Sequence, residues 1–315
     1  MGFETLLGNE RLKDNLKTSL GRGKVSHFYL ISGPEGSGKK TLARLMAAAI
    51  LCRDTGRPCG RCAACRKVME LSHPDVITVE DPEHKTTAVR IVRQYREDVF
   101  IRPNESDHKI YIFPQELGIE GQNALLKILE EPPAYGVFIL ITDNPEKLLP
   151  TIRSRATLLP MQALPERTLK QALTRQFPKA SPEDIDAAVF RSGGWLGQAQ
   201  ALLESGSALP SQTEAFLKSF AARDPLGITQ VLAPMEKLKR DQLLEVLDSW
   251  TDLLEQALAC RAGLSAVSAP AKTLSGARSS QELMAAVRTL KKATSYAQGN
   301  ISPGAICGWL SWELR

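Results

Sequence analysis

The sequence predicts an α/β domain with a parallel sheet, followed by a part of the chain that is entirely helical. Two observations lead to this prediction. Up to about Met161, short apolar runs alternate with amphipathic helical segments, and this alternation is typical of a parallel sheet covered by helices. From Pro165 onward, no segment has the pattern of a strand.

The α/β part contains five strand candidates and four helix candidates in alternation. Residues 137–141 form a continuous apolar run, which is typical of a strand buried on both faces. Residues 86–99 carry valines at helical spacing among charges, which predicts an amphipathic helix. The predicted strands are 28–31, 75–79, 109–113, 137–141 and 157–159, and the predicted helices are 7–20, 41–52, 86–99 and 121–130.

The helical part divides into a short first section and a longer second section. Three short helices are predicted at 166–175, 182–191 and 196–203, with Gly193 and Gly194 at the joint before the third. Chain breaks are expected at Pro210, Pro225 and Pro234, and long helices at 238–258, 280–296 and 303–314. Residues 262–275 are rich in Ala and Ser and contain Pro270, so we predict a loop there.

The bulk composition is that of an ordinary globular protein. The 315 residues are 43% hydrophobic and 24% charged, and a chain of this length holds two or three domains. The formal net charge of +5 permits a nucleic-acid partner without requiring one. No apolar run approaches the roughly 18 residues of a membrane span, and the first residues do not form a signal peptide. We therefore expect a cytoplasmic protein without a membrane partner.

Residues 33–41 read G-P-E-G-S-G-K-K-T, between a predicted strand and a predicted helix. A G-x4-G-K pattern in this context is typical of a phosphate-binding loop, in which backbone N–H groups surround phosphate oxygens. Lys40 stands where such a loop has its magnesium-binding hydroxyl, and Thr41 comes about 100° of helix too late. A turn without any ligand is the alternative. We predict a degenerate nucleotide site that binds ATP weakly or not at all, formed by Gly33, Gly36, Gly38, Lys39, Lys40 and Thr41.

Four of the six cysteines lie in the insert 52–65, at positions 52, 59, 62 and 65. Two overlapping C-x2-C steps and a fourth thiolate within reach can supply a tetrahedral set of four sulfurs, which is typical of structural zinc sites. An iron–sulfur cluster is the rival interpretation, although the usual Cys-Pro that follows is missing. Four free cysteines are the remaining possibility. We predict structural Zn²⁺ bound by Cys52, Cys59, Cys62 and Cys65.

Residues 123–133 read N-A-L-L-K-I-L-E-E-P-P, which resembles the signature of bacterial sliding-clamp loaders of the AAA+ class. The segments 26–30 and 151–155 and the four-cysteine insert resemble the same family in the same order, over residues 6–203. The resemblance implies a RecA-like AAA+ domain at 1–163, a small helical lid at 164–206 and a helical collar at 207–315. It also implies a five-membered ring with other loader subunits, a sliding clamp and primed DNA as partners.

Several residues that ATP hydrolysis requires in this family are missing. The third predicted strand runs into Pro114 and Gln115, where an ATP-hydrolysing subunit has an Asp-Glu pair. Gly197 stands where the resembling lid motif has a phosphate-sensing arginine. Ser154 and Arg155 are retained, with Ala156 in place of the usual cysteine. The resemblance therefore implies a mostly non-hydrolysing ring member that supplies Arg155, together with Ser154, to a neighbour's ATP.

Two other functions remain open from the sequence. An active AAA+ ATPase would have to use an unusual acid such as Glu116, which follows the strand one to two residues late. A stand-alone zinc-containing nucleic-acid-binding protein would use the basic residues around the cysteines. For Arg155, the simpler alternative is a salt bridge at a helix end.

Overall fold

Seven strands are present in the described residues, which are 2–204, 211–263, 269–299 and 301–314 of this computed structural model. Five strands form one sheet in which every neighbouring pair is parallel. The strands are β1 (Phe28–Ser32), β2 (Val76–Thr78), β3 (Thr86–Thr87), β4 (Lys109–Phe113), β5 (Glu116–Leu117), β6 (Gly136–Thr142) and β7 (Thr157–Pro160). The sheet order is β2-β4-β6-β1-β7, and β3 and β5 form a separate two-stranded ladder. The predicted parallel sheet is confirmed.

The helices account for most of the remaining described residues. None of them is both long enough and apolar enough to cross a bilayer. They are α1 (Glu10–Gly21), α2 (Lys39–Leu51), α3 (Ala63–Met69), α4 (Val89–Asp98), α5 (Ile119–Glu130), α6 (Pro150–Arg153), α7 (Glu166–Gln176), α8 (Pro182–Arg191), α9 (Leu196–Glu204), α10 (Ser211–Ala221), α11 (Pro225–Met235), α12 (Arg240–Arg261), α13 (Ala269–Ala277), α14 (Ser280–Gln298) and α15 (Pro303–Glu313).

The chain divides into two units. The first unit comprises Met1–Thr168 together with Trp195–Gln198, and the second comprises Leu169–Gly194 with Ala199–Arg315. The predicted boundary at 206/207 and the predicted break at Pro210 lie outside the described residues. The division of the helical part into a lid and a collar stays a prediction.

The sheet of the first unit is covered by helices on both faces. Because side chains alternate along a strand, Tyr29 and Ile31 of β1 face one way, and Phe28 and Leu30 face the other. The first pair packs in a core with α1, α2 and α3, and the second pair packs in a core with α4 and α5. All residues of β6 are buried, which explains its uninterrupted apolar sequence.

Several elements differ from the sequence prediction. The break predicted at Pro234 falls inside α11, which ends one residue later. The helix predicted at 86–99 begins only at Val89, because Thr86–Thr87 pairs with Glu116–Leu117 as a short strand. The loop predicted at 262–275 is wrong over its last part, since α13 occupies Ala269–Ala277. Pro270 is the second residue of this helix, where a proline costs no intrahelical hydrogen bond.

The core of the second unit is formed by α10 to α15. Trp250 of α12 is fully buried and stacks on Phe216 of α10, with ring centroids 3.9 Å apart and planes within 5°. The Trp250 indole N–H donates to the Thr213 hydroxyl at 3.2 Å, so its one polar atom is satisfied. Arg191 of α8 pairs with Asp252 of α12 at 2.6 Å.

Candidate functional site

The predicted phosphate-binding loop leaves the sheet directly at the end of β1. The Gly33 N–H donates to the Thr142 carbonyl at 3.2 Å, which joins the loop to the end of β6. Gly36 and Gly38 have φ angles of +76° and +89°, a backbone region that only glycine adopts without strain. Gly38 is the N-cap of α2 and no side chain caps this end. The first amides of α2 therefore stand at the positive end of the helix dipole, as in an anion site.

Lys39 is the only loop lysine held inside this site. Its side chain is 8% exposed, and its ammonium makes three hydrogen bonds. It donates to the carbonyl of Gly33 at 2.5 Å, to the carbonyl of Pro34 at 2.7 Å and to Asp143 Oδ1 at 2.7 Å. These three partners use all three ammonium protons.

Lys40 and Thr41 are exposed at the start of α2. Lys40 and Arg44, one helical turn apart, line a cavity of about 120 Å³ together with Glu80 and Pro114. Within the described residues, neither Lys40 nor Arg44 has an ion-pair partner, although Glu80 lies on the same cavity wall. A cavity with two cations and one carboxylate attracts anions rather than a divalent metal ion.

The end of β4, where an acid pair would stand, carries Gln115 in a structural role. Its side-chain oxygen accepts from the Asp81 N–H at 2.8 Å and from the Thr87 hydroxyl at 3.0 Å. Its amide group donates to the carbonyls of Asp81 and His84 at 2.9 and 2.8 Å. Gln115 therefore fastens the segment from 81 to 87 to the sheet, and it carries no charge that could bind a metal ion.

Glu116, the unusual acid considered above, lies in β5 and pairs with Lys147 at 3.2 Å on the protein surface. Both side chains are partly solvent-exposed, at 37% and 62%. This pairing gives no support to Glu116 as a substitute catalytic acid.

Gly197 lies directly against the loop, although the two are far apart in sequence. The Gly197 N–H donates to the Gly36 carbonyl at 2.9 Å, and the Gln198 side-chain amide donates to the Glu35 carbonyl at 3.0 Å. A Cβ at position 197 would lie 2.6 Å from the Gly36 Cα, so only glycine fits there. The position that the resemblance associates with an arginine therefore contacts the loop through its backbone.

Arg155 lies between α6 and the edge strand β7. Its Nη1 donates to the Thr151 carbonyl at 2.9 Å, and its Nη2 lies 3.4 Å from Glu130 Oε1. The Arg155 and Glu130 side chains are 37% and 55% exposed, and pairs of this kind contribute little to stability. The neighbouring Ser154 hydroxyl donates to the Thr151 carbonyl at 3.2 Å. The alternative of a helix-end salt bridge is therefore present, but as a weak, exposed contact.

Arg155 lies at the end of the sheet where the strands begin, and the phosphate-binding loop lies at the end where they finish. Thr157, two residues after Arg155, pairs with Tyr29, whereas the loop begins after Ser32 at the other end of β1. Gly33 is four residue steps along the chain from Tyr29, which is about 13 Å at the usual rise of a parallel strand. The guanidinium of Arg155, held at Thr151 and Glu130, therefore does not serve the loop of its own chain.

The four cysteines of the insert come together in space. Their Sγ atoms all lie within 4.8 Å of one another, and those of Cys52 and Cys62 are 3.9 Å apart. Four sulfurs at 2.3 Å from a central zinc would be separated by about 3.8 Å. The N–H groups of Cys62 and Cys65 donate to the Sγ atoms of Cys59 and Cys62, both at 3.4 Å. The geometry and chemistry of this donor set fit a tetrahedral metal ion.

Two of the four thiols differ clearly in their acidity without a metal. The backbone N–H groups of Arg61 and Cys62 lower the pKa of Cys59 to about 6, while burial raises the pKa of Cys65. A buried thiol with a raised pKa becomes a thiolate when a cation supplies the missing charge.

The basic residues around the insert are largely paired with acids. Arg61 lies 3.1 Å from Asp54, and Lys67 lies 2.7 Å from Glu105. Arg53 also lies near an acid, Asp107, at 3.4 Å. This pairing weakens the interpretation of the insert as a nucleic-acid-binding surface.

Sequence reasoning missed three features of the site, namely the Asp143 carboxylate on Lys39, the role of Gln115, and the contact of Gly197 with Gly36. The position of Asp143 near the loop could have been predicted, because Asp143 follows β6 directly and the carboxyl ends of parallel strands meet at one edge of a sheet. The other two features depend on segments that no local pattern connects to the loop.

Comparison with known proteins agrees with the resemblance. The family model described as DNA polymerase III, delta subunit, matches residues 8–165. The DNA polymerase III subunit gamma/tau of Mycobacterium tuberculosis is 36% identical over 199 residues, covering 61% of this chain and 34% of the relative. The Bacillus subtilis subunit tau is 39% identical over 157 residues, covering 49% of this chain and 28% of the relative. The chain thus spans about a third of the length of the curated relatives it matches.

Among solved structures, the Bacillus subtilis DNA clamp loader delta protein aligns with a TM-score of 0.34 and 12% identity, over 96% of this chain and 98% of that one. This similarity is too distant to bear on function. The family model, in contrast, matches the stretch that contains the phosphate-binding loop, the cysteine insert and Arg155. The chain belongs to the DNA polymerase III delta subunit family.

Proposed function

We propose that this chain is a delta-prime-like subunit of the bacterial DNA polymerase III clamp loader. In this role it is a mostly non-hydrolysing member of a five-membered ring with other loader subunits. It supplies Arg155 to the ATP of a neighbouring subunit, and it helps to open the sliding clamp and load it on primed DNA in the cytoplasm.

The separation of Arg155 from its own loop is the observation that carries this proposal. Arg155 lies at the amino-terminal edge of the sheet with an exposed guanidinium, while the loop lies at the carboxyl edge. The loop itself has Lys40 in place of a magnesium-binding hydroxyl, and Gln115 in place of an acid. An arginine that lies away from the impaired site of its own chain is useful when the phosphate belongs to another chain.

Arginine suits this task because its guanidinium is always charged and offers a planar set of donors. In phosphoryl transfer, negative charge spreads over the equatorial oxygens of the γ-phosphate, and an arginine from a neighbouring chain stabilises that charge. Only exposed, weak contacts hold Arg155 at Thr151 and Glu130. The side chain can exchange them for a phosphate at small cost.

The cysteine set would hold Zn²⁺ in a structural role through Cys52, Cys59, Cys62 and Cys65. A tetrahedral zinc with four sulfur ligands leaves no open position for a substrate. The ion would join the end of α2, through Cys52, to the start of α3, where Cys65 lies. It would thereby fix an insert that has few apolar residues of its own.

The test compares the assembled loader containing wild-type chain with loaders containing Arg155→Ala or Arg155→Lys. Both variants should assemble normally, keep their zinc content and melt within about 1–2 °C of wild type, because an exposed pair adds little stability. DNA-stimulated ATP hydrolysis and clamp loading should fall in both. An arginine of this kind raises the rate of hydrolysis at the site it serves by about 10³–10⁵. In a ring with several ATP sites, the total rate of hydrolysis should therefore fall only by the contribution of that one site.

Arg11→Ala is the matched control, since Arg11 is an exposed arginine of α1 in the same unit. It should leave hydrolysis and loading unchanged. If Arg155→Ala lowered the melting temperature by several degrees and left hydrolysis by the assembled ring intact, Arg155 would be a structural residue and the proposal would fail.

A further inference from the structure

We propose that Asp143 excludes nucleoside triphosphate from the phosphate-binding loop of this chain, because its carboxylate takes the place of a phosphate on Lys39. The inference concerns this chain's own loop and does not depend on Arg155 or on assembly. In this proposal, Asp143 controls whether the loop can bind an anion.

The Lys39 ammonium has no proton left for a ligand. Two protons go to the carbonyls of Gly33 and Pro34, and the third goes to Asp143 Oδ1. The lysine of a phosphate-binding loop normally reaches the outer phosphates of the nucleotide. Here it is folded back onto the loop, where its side chain is 8% exposed. A phosphate oxygen would have to displace the carboxylate before it could reach Lys39.

The fold holds Asp143 in this place. β6 lies beside β1, and the N–H of Gly33 donates to the carbonyl of Thr142, the residue before Asp143. The end of β6 is therefore hydrogen-bonded to the start of the loop. This places the Asp143 carboxylate against Lys39, although the two residues are 104 positions apart in sequence. The carboxylate repels a phosphate that approaches the same ammonium.

Asp143 is exposed to solvent, whereas Lys39 is buried. The Asp143 side chain is 55% exposed and the Lys39 side chain is 8% exposed. The other side of the loop is fixed independently of Asp143, because Gly197 and Gln198 bind the carbonyls of Gly36 and Glu35. Removal of the carboxylate should therefore free Lys39 without unfolding the loop.

The remaining parts of an anion site are still present. The first turn of α2 has no side-chain cap, and the Ser37 hydroxyl is buried without a hydrogen-bond partner in the described structure. Lys40 adds a second positive charge beside the loop. The apparent affinity of a site falls in proportion to the fraction of time that it is open. Asp143 thus lowers the affinity for an anion, because its carboxylate occupies the Lys39 ammonium for most of the time.

The experiment measures binding of a fluorescent ATP analogue, without magnesium, to the purified full-length chain. Wild type should bind weakly or not at all, and Asp143→Asn and Asp143→Ala should bind at least about tenfold more tightly, because a repelling unit charge is removed. The double variant Asp143→Ala/Lys39→Ala should lose the gain. Asp107→Asn, which removes an exposed carboxylate elsewhere in the unit, should behave as wild type.

A second measurement keeps the test independent of nucleotide. The rate of acetylation of Lys39 by acetic anhydride should be low in wild type and clearly higher in Asp143→Asn. Lys13, which is 5% exposed and donates to the Leu6 carbonyl and to Glu10, should stay slow in both proteins. It therefore serves as an internal control for general loosening of the fold.

Three results would overturn the proposal: tight binding of the analogue by wild type, no gain in either Asp143 variant, or a gain that survives the loss of Lys39. All of these measurements use the lone chain. A failure here therefore leaves the proposed role of Arg155 in the ring untouched, and a failure of that role leaves Asp143 untouched.

Discussion

Gln115 and Asp81 bind each other reciprocally, since the Gln115 side-chain oxygen accepts from the Asp81 N–H at 2.8 Å and its amide donates to the Asp81 carbonyl at 2.9 Å. An ATP-hydrolysing subunit would hold a catalytic acid at the end of this strand. An amide at this position can donate as well as accept, which a carboxylate cannot do. It provides the donor that holds the neighbouring segment.

Gln115→Glu should destabilise the protein and should not create ATP hydrolysis. A carboxylate can accept from the Asp81 N–H, but it cannot donate to the carbonyls of Asp81 and His84. The partly buried Asp81 carbonyl and the exposed His84 carbonyl would face a negative charge, at a cost of about 1–3 kcal/mol in the free energy of unfolding. Urea unfolding measures the cost, and Glu116→Gln serves as a control for an exposed side chain nearby. A variant as stable as wild type would contradict the structural role of Gln115, and a variant that hydrolysed ATP would contradict the expected absence of hydrolysis.

The purified protein should contain one zinc ion per chain, because four thiolates close one tetrahedral shell. Metal analysis of Cys62→Ser should show loss of zinc together with lower stability. Cys260→Ser should keep its zinc, since Cys260 lies in α12 outside the insert. Iron with a visible charge-transfer band, or no metal under reducing conditions, would refute the assignment.

The isolated chain should release no phosphate from ATP above background. Lys40 occupies the place of the magnesium hydroxyl, and Gln115 has no charge to polarise a water molecule. Phosphate release by wild type and by Lys39→Ala should therefore be indistinguishable. Robust hydrolysis by the lone chain that disappears in Lys39→Ala would show an active ATPase instead.

Asp75 should make the stability of the first unit depend on pH in the acid range. This fully buried carboxylate accepts from the N–H groups of Asn104, Glu105 and Ser106 at 2.5, 3.0 and 2.9 Å. Burial raises the pKa of Asp75, but these hydrogen bonds outweigh it and bring the pKa below the ordinary value of 3.8. A lowered pKa in the folded state contributes stability above the unfolded pKa, which is lost as pH falls through the folded pKa.

Asp75→Asn should therefore be less stable than wild type at pH 7, by about 1–3 kcal/mol, because its amide group would oppose backbone donors. The difference should begin to shrink as the pH falls below about 3.8, where the carboxyl of the unfolded chain becomes protonated. It should be lost once the pH falls through the lower pKa of the folded protein. Urea unfolding at several pH values measures both effects. Asp107→Asn, whose side chain is 78% exposed, should show neither, and a pH-independent difference at Asp75 would contradict the linkage.

The central sheet could be predicted from sequence because its strands are short apolar runs buried on both faces. β1, β4 and β6 lie within a residue of their predicted bounds. α8 has its predicted bounds as well, since Ser181 caps it by accepting from the Asp184 N–H and Pro182 follows in the first turn. Local signals of this kind are strong where one short segment contains both the cap and the apolar pattern.

Elements that depend on distant partners could not be predicted in the same way. α3 has only 7 residues and begins at a cap formed by a Cys62 side chain that accepts from the Cys65 N–H. A helix this short is not stable alone, so the sequence around it reads as a loop. The pair of Lys39 and Asp143 is likewise a product of β1 and β6 lying side by side. Local periodicity carries no information about such a pair.

The backbone contact between Gly36 and Gly197 leaves no room for a side chain at either position. Any Cβ at 197 would meet the Gly36 Cα at 2.6 Å and the Gly36 carbonyl oxygen at 2.9 Å, and a Cβ at Gly36 would meet the Gln198 nitrogen at 2.6 Å. A side chain at either position would therefore clash with the backbone at or next to the other glycine. A residue with a side chain fits at position 197 only if the loop moves away from it, so a substitution there should also disturb the loop at Gly36.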